Sequence, residues 1–120
     1  ELVYDSYNTA GNQIVGLRFA GMFIPQGAVI TGAYLQFTCD ETGSAACNLI
    51  IQGEDTDYSQ PFSSTAGNVS GRTTTSSSTG WTPVAWTLAG ESGIPQQTPD
   101  ISSVIQENIR WLYLKRYRMR

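Results

Sequence analysis

The stretch Ala-Val-Ile-Thr-Gly-Ala-Tyr-Leu-Gln-Phe-Thr, residues 28–38, decides the fold class. Ala33, Leu35 and Phe37 alternate with Tyr34, Gln36 and Thr38, the period of two that sets one side of a strand against a core and the other in water. A turn precedes it: in Ile24-Pro25-Gln26-Gly27 the proline fixes one dihedral and the glycine permits a positive one. Before that turn, residues 13–19 oppose Val15, Leu17 and Phe19 to Gly16 and Arg18; after the main stretch, residues 47–53 put Leu49 and Ile51 on one face. Residues 1–4 read as a further short strand and 5–12 as a polar turn. Short strands joined by small-residue turns predict an all-β domain.

Composition points the same way and narrows the chemistry. At 120 residues the chain fits one core. Charged residues are 14% and apolar ones 40%, which argues against a helix-rich cytosolic enzyme. There is no histidine, and with it go Ser-His-Asp and Cys-His catalysis, His-ligated zinc and the usual general base near neutral pH. The longest apolar runs, such as 28–30 and 48–51, fall far short of the roughly 20 residues a membrane span needs. No charged-then-apolar leader precedes them, so the expectation is a soluble chain, its signal peptide removed, with no membrane insertion.

Charge is divided along the chain. Residues 1–109 hold all ten acids and two bases, Arg18 and Arg72, for a net −8, whereas 110–120 carries Arg110, Lys115, Arg116, Arg118 and Arg120. An acidic body disfavours nucleic acid as a partner, because phosphate binding relies on clustered Lys and Arg. The last eleven residues read as a basic aromatic tail, solvated or docked on a partner. Cys39 and Cys47 flank a seven-residue loop. If the flanking runs are adjacent strands, their Cα atoms come within the roughly 4.4–6.8 Å of a disulfide, which fits an oxidising, extracytoplasmic compartment; two buried thiols are the alternative.

Past Gly53 the chain is acidic and turn-rich, then dominated by Ser, Thr and Gly over residues 63–80, with at most one or two weak strands. Trp81 and Trp86 follow at once, so this stretch reads as a surface excursion within one domain and not as a linker. One helix is signalled near the end: Thr98 as N-cap, Pro99 at the first helical position, and Ile101, Val104, Ile105 and Ile109 on one face. The expected division is a β-sandwich module over 1–109 with one short helix, followed by the tail 110–120.

Several strings in this order, Val-Gly-Leu-Arg-Phe, Ile-Pro-Gln-Gly-Ala-Val-Ile-Thr-Gly-Ala-Tyr-Leu-Gln-Phe, Ile-Gln-Gly-Glu-Asp, Ser-Gly-Arg-Thr-Thr-Thr, Val-Ala-Trp-Thr and Gln-Gln-Thr-Pro-Asp-Ile-Ser-Ser-Val-Ile-Gln-Glu, resemble a module of large secreted bacterial proteins. It is similar to carbohydrate-binding modules of the DNRLRE type, often in tandem, over about residues 2–107. The resemblance implies a jelly-roll-like antiparallel β-sandwich in a polysaccharide-degrading enzyme, adhesin or surface structure. Members of that family continue beyond the helix with a Gly-Trp turn and further strands, whereas this chain passes into the basic tail, so its final strands are expected to be missing. Cys39 and Cys47 stand outside the family pattern.

The candidate sites follow from residue chemistry. Trp81, Trp86, Tyr58 and Tyr34 are candidates for stacking on a pyranose face, with burial in the core as the competing use of such large rings. Asp40, Glu41, Glu54, Asp55 and Asp57 crowd strand ends in the manner that holds Ca²⁺, or else are solvated loop acids. Glu54 and Asp57 form a conceivable glycosidase couple, but no nucleophile motif accompanies them, and the chain reads as no enzyme. Asn68-Val69-Ser70 fits a glycosylation pattern. The expected function is a non-catalytic extracellular module that binds polysaccharide or mediates adhesion. The alternative is a structural subunit of an extracellular filament or adhesin stalk, in which neighbouring copies share strands and the basic tail meets an acidic body.

Overall fold

A computed structural model describes residues 13–22, 24–25, 27–44, 46–56 and 59–107, and the backbone of 111–118. The expected elements over 1–12, together with Asp57, Tyr58 and Ile109, lie outside the described residues. Four strands, β1 (Gln13–Arg18), β2 (Cys47–Gly53), β3 (Thr79–Trp81) and β4 (Trp111–Arg118), form one antiparallel sheet in the order β1-β4-β2-β3. β2 sets the pattern: Cys47, Leu49, Ile51 and Gly53 are buried, while Asn48, Ile50 and Gln52 between them are only half-buried. Alternation of this kind specifies the register, since a slip of one residue would turn the apolar set outward.

The C-terminal stretch departs from the reading as a tail. β4 lies in the middle of the sheet, pairing Leu114 with both Val15 of β1 and Ile51 of β2. Trp111-Leu112-Tyr113-Leu114 lacks polar alternation, as central strands flanked on both edges often do, and the bases that follow hid it. Residues 111–118 are therefore part of the sheet.

Across the core from β2, residues 33–39 keep the predicted alternation without becoming a regular strand. Ala33, Leu35 and Phe37 pack on the buried cluster and Cys39 joins it, while Tyr34, Gln36 and Thr38 are exposed. Their partner is residues 90–101, which contain Pro95 and Pro99 and so cannot supply a continuous ladder of N–H donors. Side chains stand in. Ala33 N–H donates to Asp100 Oδ1 (3.1 Å) and Leu35 N–H to Thr98 Oγ1 (2.9 Å). Backbone bonds complete the seam, from Phe37 N to Gln96 O (2.9 Å), Thr98 N to Leu35 O (3.0 Å) and Ile101 N to Ala33 O (2.8 Å). The only bridge of strand type here is Gln36 with Gln97.

This corrects the expected jelly-roll-like β-sandwich. The described residues form one four-stranded sheet, and what faces it is an irregular layer with a short helix, because the prolines break the second ladder. The condition set for a disulfide, adjacent flanking strands, is not met. Residues 33–39 bond to 90–101, and β2 bonds to β3 and β4, so the runs that carry Cys39 and Cys47 are not ladder neighbours. Both are buried thiols with no bond between them, and Cys39 Sγ donates to Glu41 O at 3.4 Å.

The helix α1 (Ser102–Glu107) starts later than its sequence signals suggest. Thr98 is drawn into the seam with Leu35, and Asp100 takes over the start, accepting from Ser102 N (2.9 Å) and Ser102 Oγ (3.0 Å). Ile101 and Val104 are buried in the core. The exposed side of α1 ties two loops. Gln106 accepts from Ile30 N (2.7 Å) and donates to Ala28 O (2.9 Å), as a strand neighbour would. Glu107 accepts from Ser76 N (2.7 Å), Ser76 Oγ (3.0 Å) and Ser77 N (2.9 Å).

Backbone N–H groups of Ser102 and Ala33 hold the Asp100 carboxyl below its ordinary value, and those of Ser77 and Ser76 do the same for Glu107. Carboxyls lowered in the folded state stabilise it fully above the unfolded values, about pH 5, and that stabilisation is lost as pH falls through the folded values. Melting temperature is therefore expected to be level between about pH 6 and 8 and to drop below about pH 4.5. Glu107→Gln should melt lower at pH 7 and lose less on acidification; an identical acid response in the variant would contradict the clasp.

Candidate functional site

Between β2 and β3 the Ser/Thr/Gly-rich excursion folds around one cation. Arg72 has a side chain only 9% exposed, and each of its five N–H donors has an acceptor. Nε donates to Asn68 O (2.7 Å). Nη1 donates to Glu54 Oε2 (3.1 Å) and Gln60 O (2.8 Å), and Nη2 to Pro61 O (3.2 Å) and Asn68 Oδ1 (3.1 Å). The guanidinium also lies 5.0 Å from the centre of the Phe62 ring. A planar fork of five donors suits such a site, because loop carbonyls arriving from several directions are all satisfied by one side chain. Gly67, at φ +75°, makes the turn inside the loop, closed by Gly71 N to Gly67 O at 2.8 Å.

The loop then seats on β1. Gly16 leaves room for it: an added Cβ would lie 2.7 Å from Phe62 Cζ and 3.1 Å from Val69 Cγ1. Val15 and Leu17 face the core, so Gly16, between them, receives the loop on the other side of the sheet.

The predicted sugar-stacking residues separate. Trp81 is 7% and Trp86 9% exposed, and both belong to the core: Phe37 stacks on Trp81 at 5.8 Å and meets Trp86 at 6.4 Å. Trp86 Nε1 donates to Pro95 O at 3.0 Å, which satisfies its one polar atom. These two rings are therefore not sugar platforms. Tyr58 lies outside the described residues. Tyr34 remains, 58% exposed on the outer side of residues 33–39.

Gln36, two positions on, shares that side. Its Nε2 donates to Gly93 O (3.0 Å) and Phe37 O (3.3 Å), and its Oε1 accepts from Gln97 Nε2 (3.2 Å). Tyr34 and Gln36 thus share one exposed side, and Gln97 joins Gln36 there through the bond between their amides. Sequence reasoning named Tyr34 as a candidate but not the amides, because Gln97 reaches this surface through the bridge to Gln36.

Of the five acids expected to hold calcium, four lie among the described residues. Asp40, Glu41 and Asp55 are exposed, Glu54 pairs with Arg72, and Asp57 lies outside the described residues, with the Glu54–Asp57 couple. Among the described residues no group of three or more Asp, Glu or Cys side chains is placed to hold a metal ion, and no helix is long and apolar enough to cross a membrane. The role of Arg72 was missed; its one signal is that it is among only two bases before residue 110.

No family model, curated protein or solved structure matches the chain. The resemblance to the DNRLRE-type modules therefore rests on the residue strings alone.

Arg72→Ala is expected to lower the unfolding free energy by about 3–5 kcal/mol, since it leaves Glu54 and the loop carbonyls unpaired, and Trp86→Ala to cost a similar ~3–5 kcal/mol through the cavity it opens. Urea unfolding checks both. A loss under about 0.5 kcal/mol, the range of an ordinary surface change, would show that Arg72 does not organise the loop.

Proposed function

We propose that the chain is a non-catalytic, extracellular binding module that holds a neutral polysaccharide on the surface of Tyr34, Gln36 and Gln97. The observation that carries this reading is the exposed Tyr34 ring on one side with two amides already held in place by Gly93 O and by each other. A pyranose offers C–H groups to an aromatic face and hydroxyls to flanking amides. Amides fixed before the ligand arrives lose little entropy on binding it. Charged groups take other parts: Arg72 and Glu54 support the loop, and Asp100 and Glu107 hold backbone N–H groups. That distribution favours binding over acid–base catalysis.

A second reading, a structural subunit of an extracellular filament assembled by strand sharing, draws on β1, which stands at the sheet edge among the described residues. The two differ in what a single ring does.

Tyr34→Ala is expected to weaken retention on neutral polysaccharide by about tenfold or more while shifting stability by less than about 0.5 kcal/mol, as an exposed site allows. Excess chelator should leave binding unchanged, since none of the three side chains is a carboxylate. Wild-type affinity in Tyr34→Ala would remove the ring from the site, and filaments whose assembly ignores glycan, with no glycan bound, would turn the reading to the structural subunit.

A further inference from the structure

A groove of about 420 Å³ lies between the Arg72-held loop and β1, lined by Ile14, Ser63, Thr65, Asn68, Val69 and Ser70. Its volume falls within the roughly 300–1,000 Å³ of small-ligand pockets. Ile14 and Val69 supply apolar surface, Gly67 adds backbone, Ser63, Thr65, Asn68 and Ser70 carry hydroxyl or amide groups, and among the described residues no charged side chain lines it. Ile14 is two residues from Gly16, on the same side of β1, so the seating of Phe62 and Val69 on Gly16 fixes the wall against the floor.

Asn68 orients the rim. Its Oδ1 accepts from Ser63 N (2.9 Å) and from Arg72 Nη2 (3.1 Å). Both partners are donors, so the amide has one orientation. Nδ2 stands on the opposite side of that amide with no partner among the described residues. Thr65 O is engaged by Asn68 N (3.0 Å), and Thr65 N by Ser63 Oγ (3.4 Å), so the hydroxyls sit on a backbone already closed on itself.

We propose that this groove is a second saccharide subsite, which takes one neutral sugar unit with its C–H face on Ile14 and Val69 and its hydroxyls on Asn68 Nδ2 and the Thr65 and Ser70 hydroxyls. It rests on the reading of the chain as a glycan-binding module and assigns that module a site distinct from the Tyr34 surface. The lining favours neutral units over uronic or sulfated ones, because the guanidinium beside it has every donor engaged and offers an anion no free counter-charge.

The test is affinity electrophoresis of the full chain in gels cast with galactomannan, xyloglucan or mixed-linkage β-glucan as neutral probes, and alginate as the anionic one. Asn68→Asp keeps an oxygen for Ser63 and Arg72 and removes the Nδ2 donors; Thr65→Val removes a hydroxyl at similar volume. Both should melt as the wild type does. The proposal expects retardation by at least one neutral glycan and none by alginate, with the dissociation constant raised on the order of tenfold in each variant, the scale of one lost hydrogen bond. Wild-type affinity in both variants, with binding weakened in Tyr34→Ala, overturns the groove and leaves the Tyr34 reading standing. Binding of alginate alone overturns the neutral ligand, and retardation by no glycan overturns the groove and the module reading together.

Discussion

Residues 33–39 must satisfy their backbone against a partner that carries prolines at 95 and 99, and much of the described structure answers that constraint. Thr98 and Asp100 give side-chain oxygens to Leu35 and Ala33. With the seam closed in this way, Leu35 and Phe37 are held over the sheet and Phe37 reaches both tryptophans. Asp100, already committed to Ala33, also begins α1, and α1 delivers Val104 to the core and Gln106 and Glu107 to the loops. The side turned away from the core carries Tyr34 and the Gln36–Gln97 pair. One irregular seam thus sets the core on its inner side and the proposed glycan surface on its outer side.

A different device holds the other face of the sheet. A loop rich in Ser, Thr and Gly has little apolar area to bury and loses much backbone entropy on ordering. Arg72 offsets that by drawing four acceptor residues onto one buried guanidinium, and Gly16 lets Phe62 and Val69 come close to β1. Both proposed saccharide contacts share a character: neutral polar groups whose positions are fixed by bonds made elsewhere.

The alternation at 33–38 and 47–53 was legible because burial on one face imposes it directly, and Ile101 and Val104 were legible as buried residues at and within the helix. The irregular pairing of residues 33–39 in place of a second sheet was not, since Pro95 and Pro99 act on the partner segment and their effect on residues 33–39 is non-local. β4 was hidden for the opposite reason: four apolar residues followed by bases resemble a tail until two neighbouring strands are in place. Of the candidate site, Tyr34 could be picked from its polar-phase position, whereas Trp81 and Trp86 could not be separated from it by residue type, because a core of small side chains needs large rings as much as a sugar does. Gln97 and Asn68 depend on contacts across 61 residues and on a turn centred at Gly67, which no local pattern encodes.

The most direct measurement of the central claim is an NMR titration of the ¹⁵N-labelled chain with neutral oligosaccharides derived from galactomannan, following side-chain amides and indoles. The account predicts shifts at the Gln36, Gln97 and Asn68 amides, with the Trp86 indole, bonded to Pro95, unmoved. Shifts centred on the Trp81 and Trp86 indoles, with those three amides silent, would contradict it.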